Sequence, residues 1–195
     1  MTDSQRSSRA ATAAAKRRRL TAAAAQVLHH KGVERTAIAD IAQAAGVPVG
    51  NVYYYFKTKD ELVEAALTEH TATLDTLTAE LDRLPDPRAR LRGLVTAWVT
   101  QRETAARYGC PIGTLAVEVD KRDPGGLDES VARAVRRLLD WAAQQFRELG
   151  TDDPDGHALT LVAGYQGMSL LANALRDPEV MTREGERLLA WIDAC

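Results

Sequence analysis

Residues 49–59, VGNVYYYFKTK, hold three of the chain's five tyrosines and one of its two phenylalanines. In a helix successive side chains step round by about 100°, so three adjacent tyrosines cannot all enter one core. The groups left facing outward would be phenol hydroxyls, the Asn51 amide and the Lys57 and Lys59 ammonium ions. Such groups donate to phosphate oxygens, and an amide or an aromatic ring can also meet a base edge or a thymine methyl. Gly50 has no side chain to hold a helix off such a surface. This is recognition chemistry. Covalent chemistry would need a nucleophile with a positioned base. Cys110, Cys195 and the histidines at 29, 30, 70 and 157 show no spacing of that kind and none of a metal site, so no catalytic residue, metal or cofactor is expected. An enzyme remains the competing class, for instance with Cys110 as nucleophile and a histidine as its base.

The charge distribution points the same way. The net charge is −2 over 195 residues, yet residues 1–60 carry ten Lys and Arg against four Asp and Glu, and the remainder 15 against 23. A basic end on an acidic body suggests a polyanion-binding part joined to a part with another task. The basic N-terminus lacks the apolar run of a secretory signal, no stretch of about 18 apolar residues suggests a membrane span, and Cys195, written last in this sequence, is not expected to be a prenylation signal, which needs three residues after the cysteine. The chain is expected to be soluble and cytoplasmic, with no membrane partner.

The elements that would carry these groups read as helices throughout. Residues 1–14 are small and polar and are expected to form a mobile basic arm. The alanine-rich segment from Lys16 to Lys31 has high helix propensity, with Leu20, Ala24, Val27 and Leu28 on one stripe and Gly32 at a left-handed cap. Thr36 is the expected N-cap of a second helix with Ile38, Ile41, Ala42 and Ala45 inward. Gly46 breaks it, and a third helix follows at about 48–56 with Val52 and Phe56 inward. Two short helices around a Gly-containing turn form a helix-turn-helix. Thr58 and Glu61 read as a capping box opening a connecting helix at about 59–84, after which LPDP is a strong break. Further helices are expected at about 88–107, 114–121, 127–149, 155–176 and 180–193. The reading is all-α with about nine helices: a DNA-binding domain over 15–60 and a larger helical domain over 61–195.

Residues 19–67, RLTAAAAQVLHHKGVERTAIADIAQAAGVPVGNVYYYFKTKDELVEAAL, resemble the DNA-binding domain of the tetracycline-repressor (TetR) family helix by helix. Most specific are the Ile-Ala pair before the turn, Ala-Gly-Val in it, and Tyr-Tyr-x-Phe before Lys-x-Lys. The resemblance implies an all-helical homodimer that reads a palindromic DNA operator, and a C-terminal domain that binds a small-molecule effector and dimerises through its last two helices. By position, Thr36, Asn51, Tyr53 and Lys59 match phosphate contacts, and Val49, Gly50, Tyr54 and Tyr55 match positions facing bases. Arg17, Arg18, Arg19 and Lys57 join them as flanking cations. Two departures stand out: Leu28 where the family usually has an aromatic, and Val49 where a polar or basic residue is common. YGCPIGTLAVEVD (108–120) and GYQGMSLLANALRDPEVM (164–181) are similar to a subgroup of antibiotic-resistance and flavonoid-responsive repressors.

In the second domain Trp98, Tyr108, Cys110, Trp141, Phe146, Tyr165 and Met168 form an aromatic and sulfur set, each either core or the lining of an apolar effector pocket. Cys110 is either a small buried hydrophobe or a redox-sensing thiol. Gly164, Gly167, Leu171 and Ala174 on one helix and Leu188 and Ile192 on the last suit a dimer seam, although small residues serve internal helix contacts equally well. A ligand-responsive transcriptional regulator, more readily a repressor than an activator, accounts for all these features.

Overall fold

The computed structural model describes residues 3–120 and 127–195, and every regular element among them is an α-helix. Residues 1 and 2 of the expected arm and residue 121 of the helix expected at 114–121 lie outside the described residues. The helices are α1 (Asp3–Lys31), α2 (Ile38–Ala45), α3 (Val49–Tyr55), α4 (Lys59–Leu81), α5 (Pro87–Thr100), α6 (Arg102–Tyr108), α7 (Pro111–Asp120), α8 (Leu127–Leu149), α9 (Pro154–Leu175) and α10 (Glu179–Ala194). The nine expected helices become ten because a break at Gln101 divides the one read at 88–107 into α5 and α6. The segment expected as an arm is helical from Asp3 onward. No Gly or Pro interrupts residues 3–31, and the alanines that favour helix after Lys16 are already frequent before it.

Local chemistry sets the element ends. Asp86 and Asp153 accept from the backbone N–H groups of Ala89 and Gly156, each just ahead of a proline that opens its helix. Thr58 Oγ1 accepts from Glu61 N–H at 3.1 Å, while the Glu61 carboxylate reaches back to Lys57 N–H at 2.7 Å, one residue beyond a standard capping box. The N-cap of α2 is Ala37 and not Thr36. Thr36 lies one residue earlier and is only 2% exposed, with its hydroxyl donating to the Gly32 carbonyl at 2.7 Å. The Ala37 N–H is met instead by Asp40 at 2.9 Å.

Two principal cores are linked by α4. Leu20, Leu28, Ile41, Val52, Phe56, Leu62, Val63 and Ala66 belong to the first, which also takes in Leu115 and Val119 of α7. Leu67 meets Val131 and Ala134 in a small middle cluster. Farther along, Leu74 and Leu77 pack against the second core and Leu81 is part of it, beside Leu91, Leu94, Phe146, Leu161 and Ile192. A division at 60/61 therefore cuts through the first core, because the first turns of α4 complete it.

Gly46 closes α2 with φ +60°, and its N–H and that of Val47 are taken up by the carbonyls of Gln43 and Ala42. A side chain there would be strained, and a Cβ would lie 2.8 Å from Arg19 Nη2. Gly46→Ala is expected to lower stability by roughly 1–2 kcal/mol, read as a lower urea midpoint with an unchanged slope.

Candidate nucleic-acid interface and effector cavity

The reading helix α3 is held by Val52 and Phe56, both buried. Tyr54 points almost directly away from that pair and is 75% exposed; Tyr53, on one flank, is 48% exposed. Val49, Gly50 and Asn51 are also exposed, and nothing lies within 4 Å of a Cβ built on Gly50. Tyr55, on the other flank, departs from the expected outward position: it is half-buried and packs against the first core, with its ring edge-on to Tyr54 at 5.1 Å. Thr36 is likewise withdrawn from the surface by its bond to Gly32, so its side chain is not available as a phosphate donor.

The flanking cations have separate tasks. Arg19 donates to the carbonyls of Ala45 and Gly46, tying α1 to the turn before α3. The Arg17 guanidinium lies 5.0 Å from the centre of the Phe56 ring. Lys57 Nζ donates to the Tyr53 carbonyl at 2.8 Å, a position that complements the C-terminal end of α3. Arg18 is exposed and Lys59 is half-buried at the first turn of α4. Arg17, Arg19 and Lys57 thus hold the reader together as well as making it basic.

A cavity of about 180 Å³ lies between α4, α5, α7, α8 and α9, lined by His70, Leu74, Trp98, Cys110, Tyr165 and Gln166 among others. Trp98 and Tyr165 are stacked in its wall at 4.3 Å, and burial holds the Tyr165 phenol well above its usual pKa. A second, more polar cavity of about 460 Å³ runs between α7 and α9 past Glu118, Ser169 and Asn173. Cys110 and Gln166 border both cavities. The Gln166 amide and the Gly113 N–H donate to Cys110 Sγ at 3.6 and 3.4 Å.

Of the expected effector set, Trp98, Cys110 and Tyr165 line the smaller cavity and the other four do not. Tyr108 stacks on His30 at 4.0 Å. Trp141 Nε1 donates to Asp82 at 2.9 Å. Phe146 is fully buried against His157 and Trp191, and Met168 is buried in the second core. All four are on helices, as expected, but on faces turned toward neighbouring helices rather than the cavity. Missed by the sequence reading were His70 and Gln166 in the cavity, and Glu118, whose carboxylate accepts from the Val33 N–H and so joins α7 to the loop after α1. His70 had one signal, its register with the inward positions of α4.

His70 belongs to a histidine cluster at the junction of the two cores. His29 Nε2 donates to the Gly109 carbonyl at 2.9 Å, and the His29 and His70 rings are 6.1 Å apart. Burial is the main cause lowering both pKa values, with a further contribution from the neighbouring histidine in each case; backbone carbonyls of Gly109 and Ala25 oppose it. For His70 the result is about 4.

On α9, Leu159, Leu170, Leu171 and Leu175 are exposed, as is Ala174, and Gly167 has open space around it. Two residues expected in the seam are engaged internally. A Cβ on Gly164 would lie 3.0 Å from Leu188 of α10, and Ile192 is fully buried. Leu188 itself is half-buried against the second core. By length and composition α9 could cross a bilayer, a feature hidden from the sequence reading by its scattered polar residues; in the structure it packs against α8 and α10.

Residues 20–66 match bacterial regulatory proteins of the tetR family, and residues 87–187 match the tetracyclin repressor-like C-terminal domain. Over 169 residues the chain is 33% identical to the transcriptional regulator AcuR of Cereibacter sphaeroides, covering 78% of this chain and 74% of that one. It is 28% identical over 167 residues to the HTH-type transcriptional repressor DhaR of Mycobacterium sp. strain GP1, covering 79% and 80%. The crystal structure of regulatory protein TetR from Rhodobacter sphaeroides superposes with a TM-score of 0.78 at 25% identity, covering 89% of this chain and 96% of that one.

The histidine cluster carries a pH dependence whose sign follows from the depressed values. The unfolded chain takes up protons from about pH 6.5 downward, whereas folded His70 resists until about 4. Its contribution is therefore complete above 6.5 and lost as pH falls toward 4. Between pH 7.5 and 4.5 the wild type should lose roughly 2–3 kcal/mol more stability than His70→Gln, measured by urea unfolding of both proteins at the two pH values.

Proposed function

The chain belongs to the TetR family of bacterial regulatory proteins, and we propose that it is a cytoplasmic repressor that binds a palindromic operator as a homodimer and is released by a small apolar or aromatic effector. It is a helix-turn-helix transcriptional regulator; the sign of regulation, the palindrome, the dimer and the effector are what the proposal adds. The observation that carries it is α3, which buries Val52 and Phe56 while turning Gly50, Asn51, Tyr53 and Tyr54 outward from a basic domain. Tyr54 and Gly50 face the bases, Val49 lies at the edge of that surface, and Asn51 and Tyr53 meet the flanking phosphates with Arg18 and Lys59. A single reader this small makes few base contacts. Two related by a two-fold axis read half-sites a helical turn or more apart.

The leucines and small residues on the outer side of α9 support a seam between two copies, centred on Leu171, Gly167 and Ala174. The effector occupies the cavity beside Trp98 and Tyr165, against α4. Because α4 is shared by both cores, a ligand that favours one position of α4 also favours one placement of the reader, and differential affinity for the two placements is what shifts the population. The place of Cys110 between both cavities favours a second reading, in which modification of its thiol is the signal.

With the purified protein and the DNA upstream of its own gene, the palindrome should be preferred over random duplex by about 10³-fold or more. Tyr54→Ala should change the preferred sequence, whereas Tyr53→Ala should weaken binding to all duplexes alike. Equal affinity for any duplex would overturn the regulator reading. Leu171→Asp places a charge in the proposed seam and should convert the dimer to a monomer in sedimentation, with loss of tight operator binding.

A further inference from the structure

The core-facing stripe of α1 changes character at residue 20. From there onward it is apolar, and Leu20, Ala24 and Leu28 are buried in the first core with Ile41, Val52 and Leu62. Before Leu20 no residue of α1 is buried among the described ones: Ser7, Ala10, Ala11, Thr12 and Ala14 are exposed and Lys16 is half-buried. Residues 3–19 hold no apolar side chain larger than alanine, and six Lys and Arg against one Asp. At about 100° per residue, positions 6, 9, 16 and 17 fall on the same side of the helix as positions 20, 24 and 28. The stripe passes from basic to apolar without leaving its face. A basic stripe there is complementary to a polyanion and not to a protein core.

The course of α1 says where that polyanion must lie. Near the C-terminal end of the helix, His29 reaches the Gly109 carbonyl and His30 stacks on Tyr108, both in the effector domain. Farther back, Arg19 donates to the carbonyls of Ala45 and Gly46 just before α3, and the Arg17 guanidinium lies 5.0 Å from the Phe56 ring just after it. Residues 3–16 of the same continuous helix then extend about 20 Å beyond the level of the reader, away from the effector domain. That length matches about six phosphate spacings along a DNA strand. An exposed helix this short is marginal in water, and neutralising its like charges favours it. The segment also lies outside the family's shared DNA-binding domain, whose match begins at residue 20.

Building on the DNA-binding reading above, we propose that residues 3–16 are a second DNA-binding element, a basic helix that lies along the phosphate backbone beside the site read by α3. The charges of Arg6, Arg9 and Lys16 neutralise phosphates there and carry no sequence information. The reader chooses the site, and the extension adds affinity to it.

The test compares the full-length wild type with the triple variant Arg6→Gln, Arg9→Gln, Lys16→Gln on the palindrome and on random duplex, over about 0.05–0.3 M salt. In a plot of log affinity against log salt concentration, the variant's slope should be shallower by roughly 2–3 per reader. Its affinity for both duplexes should fall at least about tenfold at about 0.15 M salt, with their ratio unchanged. Arg6→Lys with Arg9→Lys keeps the charges and should keep the wild-type slope. A wild-type slope in the Gln variant, a loss confined to the palindrome, or an equal loss in the Lys variant would each overturn the proposal. So would tight binding to phosphatidylglycerol vesicles that the Gln variant loses while its DNA slope stays unchanged, since the stripe would then serve a membrane surface. The regulator reading fails on a different measurement, the absence of palindrome preference in the wild type, whereas the slopes on random duplex alone still judge the extension.

Discussion

Helix α4 is the constraint on which the other parts depend. Its first turns complete the core beneath the reading helix, its middle meets α8 through Leu67, and its last turns enter the second core at Leu81. A helix packed at both ends moves as a unit, because close-packed interiors transmit displacement instead of absorbing it. The smaller cavity is built against its middle. The reading helix at one end and the cavity farther along are therefore tied to the same rod.

The junction is reinforced from the side. Glu118 of α7 accepts from Val33, His29 reaches the Gly109 carbonyl, and His30 stacks on Tyr108. These contacts connect the end of α1 to the segment around Cys110 without passing through α4. The reader has its own internal tie in Arg19, whose bonds to Ala45 and Gly46 fix the turn that aims α3. Positive charge in this domain thus acts as structure as well as attraction for phosphate.

Much of the fold was legible in the sequence because its signals are local. The apolar stripes of α1 and α2, the left-handed Gly32 and Gly46, and the Asp-Pro starts of α5 and α9 are each written within a few residues. The site was legible only in part, because position on a helix does not say which neighbour that face meets. Tyr53 and Tyr55 lie symmetrically about the inward line of α3, and only tertiary packing decides that Tyr55 turns in. Phe146, Trp141, Tyr108 and Met168 looked like Trp98 and Tyr165 in type, yet their faces point elsewhere. Gly164 and Gly167 are the same residue on one helix, and one admits Leu188 while the other opens outward. His70 shares a cavity wall with residues of four other helices, which no local pattern could reveal.

Cys110 and Gln166 form a partition with a cavity on either side, joined by a bond from amide to sulfur. A wall with two faces has one position, so whatever presses on it from the smaller space alters the shape of the larger. Thermodynamic linkage then runs in both directions with equal strength: a molecule in either space changes the affinity of the other by the same factor. The shapes of the two compartments are therefore coupled at a single pair of side chains, Cys110 and Gln166.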